Sequence, residues 1–252
     1  MMSNKNKSIQ ILTKGVEFLF KKNKVTYLKG KGVLFSKNDV VVYNDNKKEN
    51  YKAKNIVIAT GSDVASLPGI TIDEKNIISS TGALDLEALP KSVAIVGGGY
   101  IGLELGCALA KLGSKITVVE GMSSVLAIMD KEIRRPLEIW LKKHKVTVHT
   151  DSLARGVEIK GRGASKKAEL TFEKDGTDHK VKVDKVLVTV GRKPNTKGWG
   201  LENTGVRMDG SGRFIRTDRQ CRTSVPGVYA IGDVSGEPML CLLYTSPSPR
   251  DS

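Results

Sequence analysis

"VAIVGGGYIGLELGCALAKLGSKITVVEG" runs from Val93 to Gly121. An apolar run ending at Val96 leads into Gly97, Gly98 and Gly99. The spacing of apolar residues then changes. Ile101, Leu105, Ala108, Leu109 and Leu112 recur at a helical period, and Gly113 ends the run. A second apolar run, Lys115 to Val119, follows. This is a strand, a glycine turn, a helix and a strand. G-x-G-x-x-G at Gly97, Gly99 and Gly102 in that setting is a dinucleotide-binding pattern. Gly97 permits the tight turn, Gly99 lets backbone approach a pyrophosphate, and Gly102 lets helix and strand pack closely. The free N–H groups of the helix then face the phosphates. Glu120 closes the second strand, where a carboxylate accepts hydrogen bonds from an adenine ribose and repels a 2′-phosphate. The next residues are Gly121, Met122 and Ser123, with no arginine, so NAD is favoured over NADP. The alternative is a compact strand-to-helix corner whose glycines serve packing alone.

Outward from this stretch, strands and helices alternate. Ile9, Leu12, Val16, Leu19 and Phe20 have helical spacing. "VTYLKGKGVLF" reads as a strand or hairpin bent at Gly30 and Gly32. "NDVVVYND" and "ENYKAKNIVIATGS" carry strand signals, with Ile56 to Ala59 as a buried run. The turn-rich stretch around Pro68-Gly69 and Pro90 reads as a connection. A second helix is expected from an N-cap at Asp130, with a kink or a late start at Pro136. "KVTVHTD" is a strand, residues 157–183 an antiparallel excursion, and "DKVLVTVGRKPNT" a buried strand ending in a loop. The last strand is expected over Val228 to Ile231. This order implies an α/β, doubly wound, mostly parallel sheet.

The composition is that of a globular protein: 252 residues, 39% hydrophobic and 27% charged. No apolar run reaches the roughly 20 residues of a membrane helix. The N-terminus lacks the basic-then-apolar pattern of a secretory signal. Cytoplasm or an organelle matrix is therefore the expected location. The three cysteines, Cys107, Cys221 and Cys241, form no close pair and argue against a disulfide framework. The net charge of +14 raises nucleic-acid binding. The lysines are scattered, however, and no aromatic-interleaved basic patch accompanies them, so a solvated basic surface is the favoured reading. No metal-ligand pattern is present.

Three more fragments sit at strand ends: "VIATGS" (Val57 to Ser62), "VTVGRKPNT" around Gly191, and "VYAIGDV", which puts Asp233 just past a strand. In this order around a central G-x-G-x-x-G unit, they resemble the flavin-dependent pyridine nucleotide–disulfide oxidoreductases. Longer stretches, among them "LTKGVEFLFKKNKVTYLKGKG" and "GRKPNTKGWGLENTGVRMDGSGR", look like the dihydrolipoamide dehydrogenase branch, from about Lys5 to Leu240. The resemblance implies a Rossmann-type NAD-binding domain (89–206) inserted between parts of an FAD-binding domain (1–88 and 207–240). It implies that Gly97, Gly98, Gly99, Tyr100, Ile101, Gly102, Leu103, Glu104, Glu120 and Gly191 line the NAD site, with Glu104 at the nicotinamide end and Leu153 near the adenine. Gly32, Thr60, Gly61, Ser62, Asp233, Met239 and Leu240 would contact FAD. The expected parent is a homodimer in a 2-oxo acid dehydrogenase complex, oxidising dihydrolipoamide on a lipoyl domain, with no nucleic acid or membrane partner.

The sequence departs from that branch at three places. It lacks the first glycine-rich FAD unit, the redox-active Cys-x4-Cys pair and the C-terminal His–Glu pair of the family. His144, His149 and His179 read as surface or strand histidines, and no catalytic residue is assigned. The expectation is an inactive interior portion of the enzyme. The tail from Cys241 ("CLLYTSPSPRDS") lacks periodicity, resembles translated adapter sequence, and is expected to be foreign and disordered. Alternatives are another FAD-dependent disulfide reductase (mercuric or glutathione reductase-like), a stand-alone NAD-binding module, and a basic nucleic-acid-binding module.

Overall fold

The computed structural model of the chain describes residues 2–45, 47–163, 166–236 and 239. Leu240 and the tail from Cys241 lie outside the described residues. The chain forms two compact units: Val64–Arg192, and the flanking segments Met1–Asp63 with Lys193–Ser252. One unit is thus inserted in the sequence of the other. The divisions fall at 63/64 and 192/193 rather than at the 88/89 and 206/207 expected from sequence. The reason is local pairing. Ile77–Ile78, in the stretch read as a connection, pairs in parallel with Lys185–Val188 and so belongs to the inserted unit. Leu201, by contrast, packs with Ile56, Ile215 and Val228 in the core of the other unit.

The inserted unit is a Rossmann-type layered fold. Its five-stranded parallel sheet has the order Ile77–Ile78, Lys185–Val188, Ser92–Val96, Lys115–Val119, Thr147–His149. The strands are short apolar runs because both faces are covered. Val93, Ile95, Ile116, Val118 and Leu187 turn to one face, which is covered by helices Tyr100–Lys111 and Lys131–Lys143 through Leu103, Leu109 and Leu141. Ala94, Val96, Val119, Val186 and Val188 turn to the other and meet Ala168, Leu170, Phe172 and Val183. Those residues lie on an antiparallel meander, Ser152–Lys160, Lys167–Lys174 and Thr177–Val183, which is the expected excursion. The second cover is therefore a small sheet rather than helices. The helix Lys131–Lys143 follows Asp130 at the N-cap and runs through Pro136, so the late start is not realised.

In the flanking unit, the meander Lys31–Leu34, Asp39–Asn44 and Lys47–Lys52 is antiparallel. Ile56–Ile58 and Val228–Ala230 pair in parallel over a core with Leu201, Ile215 and Val234. The helix Met2–Lys22 realises the N-terminal periodicity, but none of its residues is buried.

Gly102 sets the distance between the inserted unit's first helix and its central strand. A Cβ there would lie 2.5 Å from both the Gly97 carbonyl oxygen and Thr189 Oγ1, and 3.0 Å from Ile95 Cγ2. Gly102→Ala must therefore push the helix off the sheet. It is expected to cost about 1–3 kcal/mol, as overpacking does, read as a lowered midpoint in denaturant unfolding; an unchanged midpoint would contradict the close approach.

A second restraint is electrostatic. Asp184 accepts from the Ser92 N–H (2.8 Å) and from the Ser92 hydroxyl (3.1 Å), and it pairs with Lys167. Burial by itself would raise the Asp184 carboxyl, but Lys167 and Ser92 together hold it below the ordinary range. A depressed carboxyl stabilises the fold above its unfolded pKa, and that contribution fades as pH falls through the folded value. Asp184→Asn is expected to lose about 1 kcal/mol at neutral pH. Comparing unfolding midpoints of the two proteins from neutral pH down into acid should show the gap closing; a gap independent of pH would remove the ionic explanation.

Candidate functional site

The sheet topology creates one crevice. From the central strand Ser92–Val96 the chain moves to Lys115–Val119 on one side, and later returns to Lys185–Val188 on the other. The carboxyl ends of strands that diverge in this way open a gap where ligands bind in such folds. Gly97 sits in it with φ +101°, and a Cβ there would meet the Thr189 carbonyl at 2.5 Å. The Thr189 hydroxyl donates to the Gly97 carbonyl at 3.1 Å, fixing the turn.

A cleft of about 400 Å³ lies over this turn. It gathers Gly97, Gly99, Tyr100, Ile101, Glu120, Leu153 and Gly191 from the residues expected at a dinucleotide. Gly99 is the N-cap of the first helix and supplies no side-chain cap. Its φ of −76° suits any residue, and a Cβ there would meet nothing within 4 Å. The protein itself therefore does not require glycine at this position; the open space in front of it fits a ligand that approaches the backbone closely. The free N–H groups of the first turn and the positive end of the helix favour an anion there.

Glu120 is held by two backbone donors, the Gly98 N–H and, at 2.7 Å, the Met122 N–H. Its carboxylate is thus fixed at the rim of the glycine turn. The Glu120 carbonyl accepts from Ser152 N–H at 2.9 Å, which brings Leu153 to the cleft with about half its surface exposed.

The other expected residues play different parts. Gly98 is wedged between Val125 and Glu120, and a Cβ there would come within 2.9 Å of Val125. Gly102 and Leu103 are buried on the helix, and Glu104 is exposed on it. The sequence reading did not single out Leu67, Ser152, Ala154, Thr189 and Val190, which also line the cleft. Of these only Thr189, beside Gly191 at a strand end, carried a usable signal.

In the flanking unit, the parallel strands Ile56–Ile58 and Val228–Ala230 deliver Thr60 to Ser62 and Asp233 to one corner. Ser62 Oγ donates to the Asp233 carboxylate. The Thr60 hydroxyl donates to the Asn195 carbonyl at 2.7 Å, and the Asn195 side-chain amide donates to the Thr60 carbonyl at 3.1 Å. Gly61 has φ +66°. Gly32 stands in the strand Lys31–Leu34, opposite Val42 on the separate antiparallel sheet. Among the described residues no group of histidines, cysteines and carboxylates could hold a metal, and no helix is long and apolar enough to cross a membrane.

A family model for pyridine nucleotide-disulphide oxidoreductases, enzymes that use FAD and NAD, matches residues 2–243. The chain is 46% identical over 243 residues to dihydrolipoyl dehydrogenase 1, mitochondrial, of Arabidopsis thaliana, covering 95% of this chain and 47% of that protein. It is 43% identical over 232 residues to dihydrolipoyl dehydrogenase of Geobacillus stearothermophilus, covering 92% and 48%. The chain thus spans about half the length of these relatives. Among solved structures, LpdA from Mycobacterium tuberculosis matches with a TM-score of 0.74 at 29% identity, over 87% of this chain and 46% of that one. The Escherichia coli flavoprotein disulfide reductase RclA, as a Cu(II) complex of a mutant form, matches at 0.86 and 24% identity, over 96% and 54%, and shows the shared fold. The chain belongs to the pyridine nucleotide–disulphide oxidoreductase family.

Proposed function

We propose that the unit Val64–Arg192 binds NAD in the cleft over Gly97 to Gly99, and that the flanking unit contributes to an FAD site through Thr60 to Ser62, Asp233, Gly32, Met239 and Leu240. The longer protein to which this sequence corresponds would be a dihydrolipoyl dehydrogenase. Dihydrolipoamide loses two electrons and two protons to give the cyclic disulfide, while NAD+ gains a hydride and one proton is released. The single observation that carries the nucleotide reading is the open space at Gly99 beside a backbone-clamped Glu120. Identities of 43–46% to dihydrolipoyl dehydrogenases support the branch. Lipoyl-domain substrates, a homodimer, a 2-oxo acid dehydrogenase complex and a cytoplasmic or mitochondrial-matrix location belong to the same reading.

Bound in the cleft, NAD supplies a hydride acceptor at its nicotinamide. The residues of the chain bind and orient it. The helix N-terminus and the Gly97–Gly99 backbone would hold the pyrophosphate. Glu120, already polarised by two N–H donors, would accept ribose hydroxyls and repel a 2′-phosphate. Leu153 would cover the adenine, and Glu104 would reach towards the nicotinamide end. The apolar floor of Leu67, Val96, Val119 and Val190 would exclude water.

The cofactor choice is testable by fluorescence titration. NADH is expected to bind at least about tenfold tighter than NADPH, a difference of roughly 1.4 kcal/mol; tighter NADPH binding would overturn the role of Glu120. Gly99→Val separates folding from binding. Its backbone conformation and open surroundings accept the side chain, so circular dichroism and the unfolding midpoint should stay within about 1 kcal/mol of the parent. NADH affinity should fall by a factor of ten or more, since the side chain fills the pyrophosphate space; normal binding would sink the cradle.

The 252-residue chain itself is expected not to turn over dihydrolipoamide with added FAD and NAD+. Its three cysteines, Cys107, Cys221 and Cys241, include no Cys-x4-Cys pair, and burial raises the Cys107 thiol, leaving little thiolate. NADH formation followed by absorbance tests this. Turnover within about a thousandfold of an ordinary enzyme's roughly 10 s⁻¹ would mean that another thiol and base serve.

A further inference from the structure

A second recess, of about 300 Å³, lies between the parallel sheet and the meander, beneath the edge strand Thr147–His149. Its lining differs in kind from the dinucleotide cleft. Lys115, Thr117, Thr147, His149 and His179 face it around Phe172. The Phe172 ring lies 4.8 Å from that of His149 and 5.5 Å from that of His179, so one aromatic ring seats both imidazoles. Thr117 is only 6% exposed and Thr147 is exposed, and both threonine side chains line the recess. Two threonine hydroxyls, two imidazoles and the ammonium groups of Lys115, Lys180 and Lys182 thus belong to the lining of one recess.

The titratable residues that line the recess, Lys115, Lys180, Lys182, His149 and His179, are all basic. Lys174 and His179 both act on His149. Lys115 and Lys174 form no ion pair among the described residues. The nearby carboxylates are already engaged: Asp184 with Lys167 and Ser92, Glu169 with Lys160 and Lys180, and Glu173 with Arg155, on which Asp178 also acts. The lining offers a cation no carboxylate. An anion with several acceptor oxygens would complete both the hydrogen bonding and the electrostatics.

We infer that this recess is a binding site for a phosphate-bearing small anion, separate from the dinucleotide cleft. Lys115 and His179 would supply charge, Thr117 and Thr147 hydroxyl donors, and His149 a ring N–H. Burial, Lys174 and His179 hold His149 below the usual imidazole range in the empty protein. Binding of an anion favours the protonated ring, so binding is linked to proton uptake at His149.

The test is a titration of the full chain with inorganic phosphate and with ribose 5-phosphate, followed by the histidine side-chain NMR signals. Saturable shifts at His149 and His179, with a raised His149 pKa at saturation, are expected from at least one of the two. Tighter binding of ribose 5-phosphate assigns the site to a phosphorylated metabolite; equal or weaker binding assigns it to free phosphate. The exposed-residue variants Lys115→Gln and His179→Gln should each weaken binding about three- to tenfold, and Gly99→Val should leave it unchanged. The inference is overturned if neither ligand saturates, if chloride at matched ionic strength reproduces the shifts, or if Gly99→Val abolishes them.

Discussion

The inserted unit depends on how closely one helix can approach one strand. Gly102 has no side chain, so the helix Tyr100–Lys111 comes down on the Gly97 carbonyl and on Thr189. Thr189 then uses its hydroxyl twice, donating towards the Val96 and Gly97 carbonyls at 3.2 and 3.1 Å. A strand from late in the sequence is thereby locked to a turn from its middle. Without this approach the helix N-terminus would stand away from the crevice, and its dipole and free N–H groups would lose their target within a turn's length. Gly106 extends the same seam, where a Cβ would come 2.6 Å from Ile95 Cδ1.

The fold requires two of the three glycines of the motif, each for its own reason, and not the third. Gly97 answers to backbone conformation, Gly102 to packing, and Gly99 to neither. A glycine that the fold does not need is informative, because a side chain there would add entropy-reducing stiffness to the unfolded chain at no steric cost. The pyrophosphate of the proposed dinucleotide would occupy the open space in front of it. Glu120 follows a similar logic. A carboxylate at a strand end could turn to solvent, yet it is drawn to two backbone N–H groups and set at the rim of the same space.

Much of this was legible in the sequence, and the reasons differ by element. Ser92–Val96 and Lys115–Val119 are covered on both faces, so they appear as unbroken apolar runs between glycines, and their limits are sharp. The meander shows alternation because only one of its faces packs on the core, through Ala168, Leu170 and Phe172. Ile77–Ile78 was invisible. Two residues have no period, and they lie in a stretch rich in proline, glycine and serine. That omission displaced the boundary of the inserted unit, since the pairing of Ile77 with Val186 is a contact across more than a hundred residues. The cleft was legible where motif spacing or a strand end singles out a residue, at Gly97, Gly99, Glu120 and Gly191. It was not legible at Leu67, Ser152 and Val190, whose types are common and whose convergence is made only by the fold.

The helix Met2–Lys22 marks the limit of such reading from the other direction. Its apolar residues keep a helical period, and the helix forms. Ile9, Leu12, Val16 and Leu19 nevertheless remain about half exposed or more. Periodicity reports that one face of a segment differs from the other; it does not report what the face meets. The lysines that share this helix illustrate the same point for charge. They contribute to the net +14. At Lys115 a lysine of the same type lines a recess with two imidazoles and two threonine side chains. Charge is informative where the fold gathers several polar side chains around one space, and here that gathering is set by the register of the edge strand, in which Thr147 lies opposite Thr117 and His149 opposite Val119.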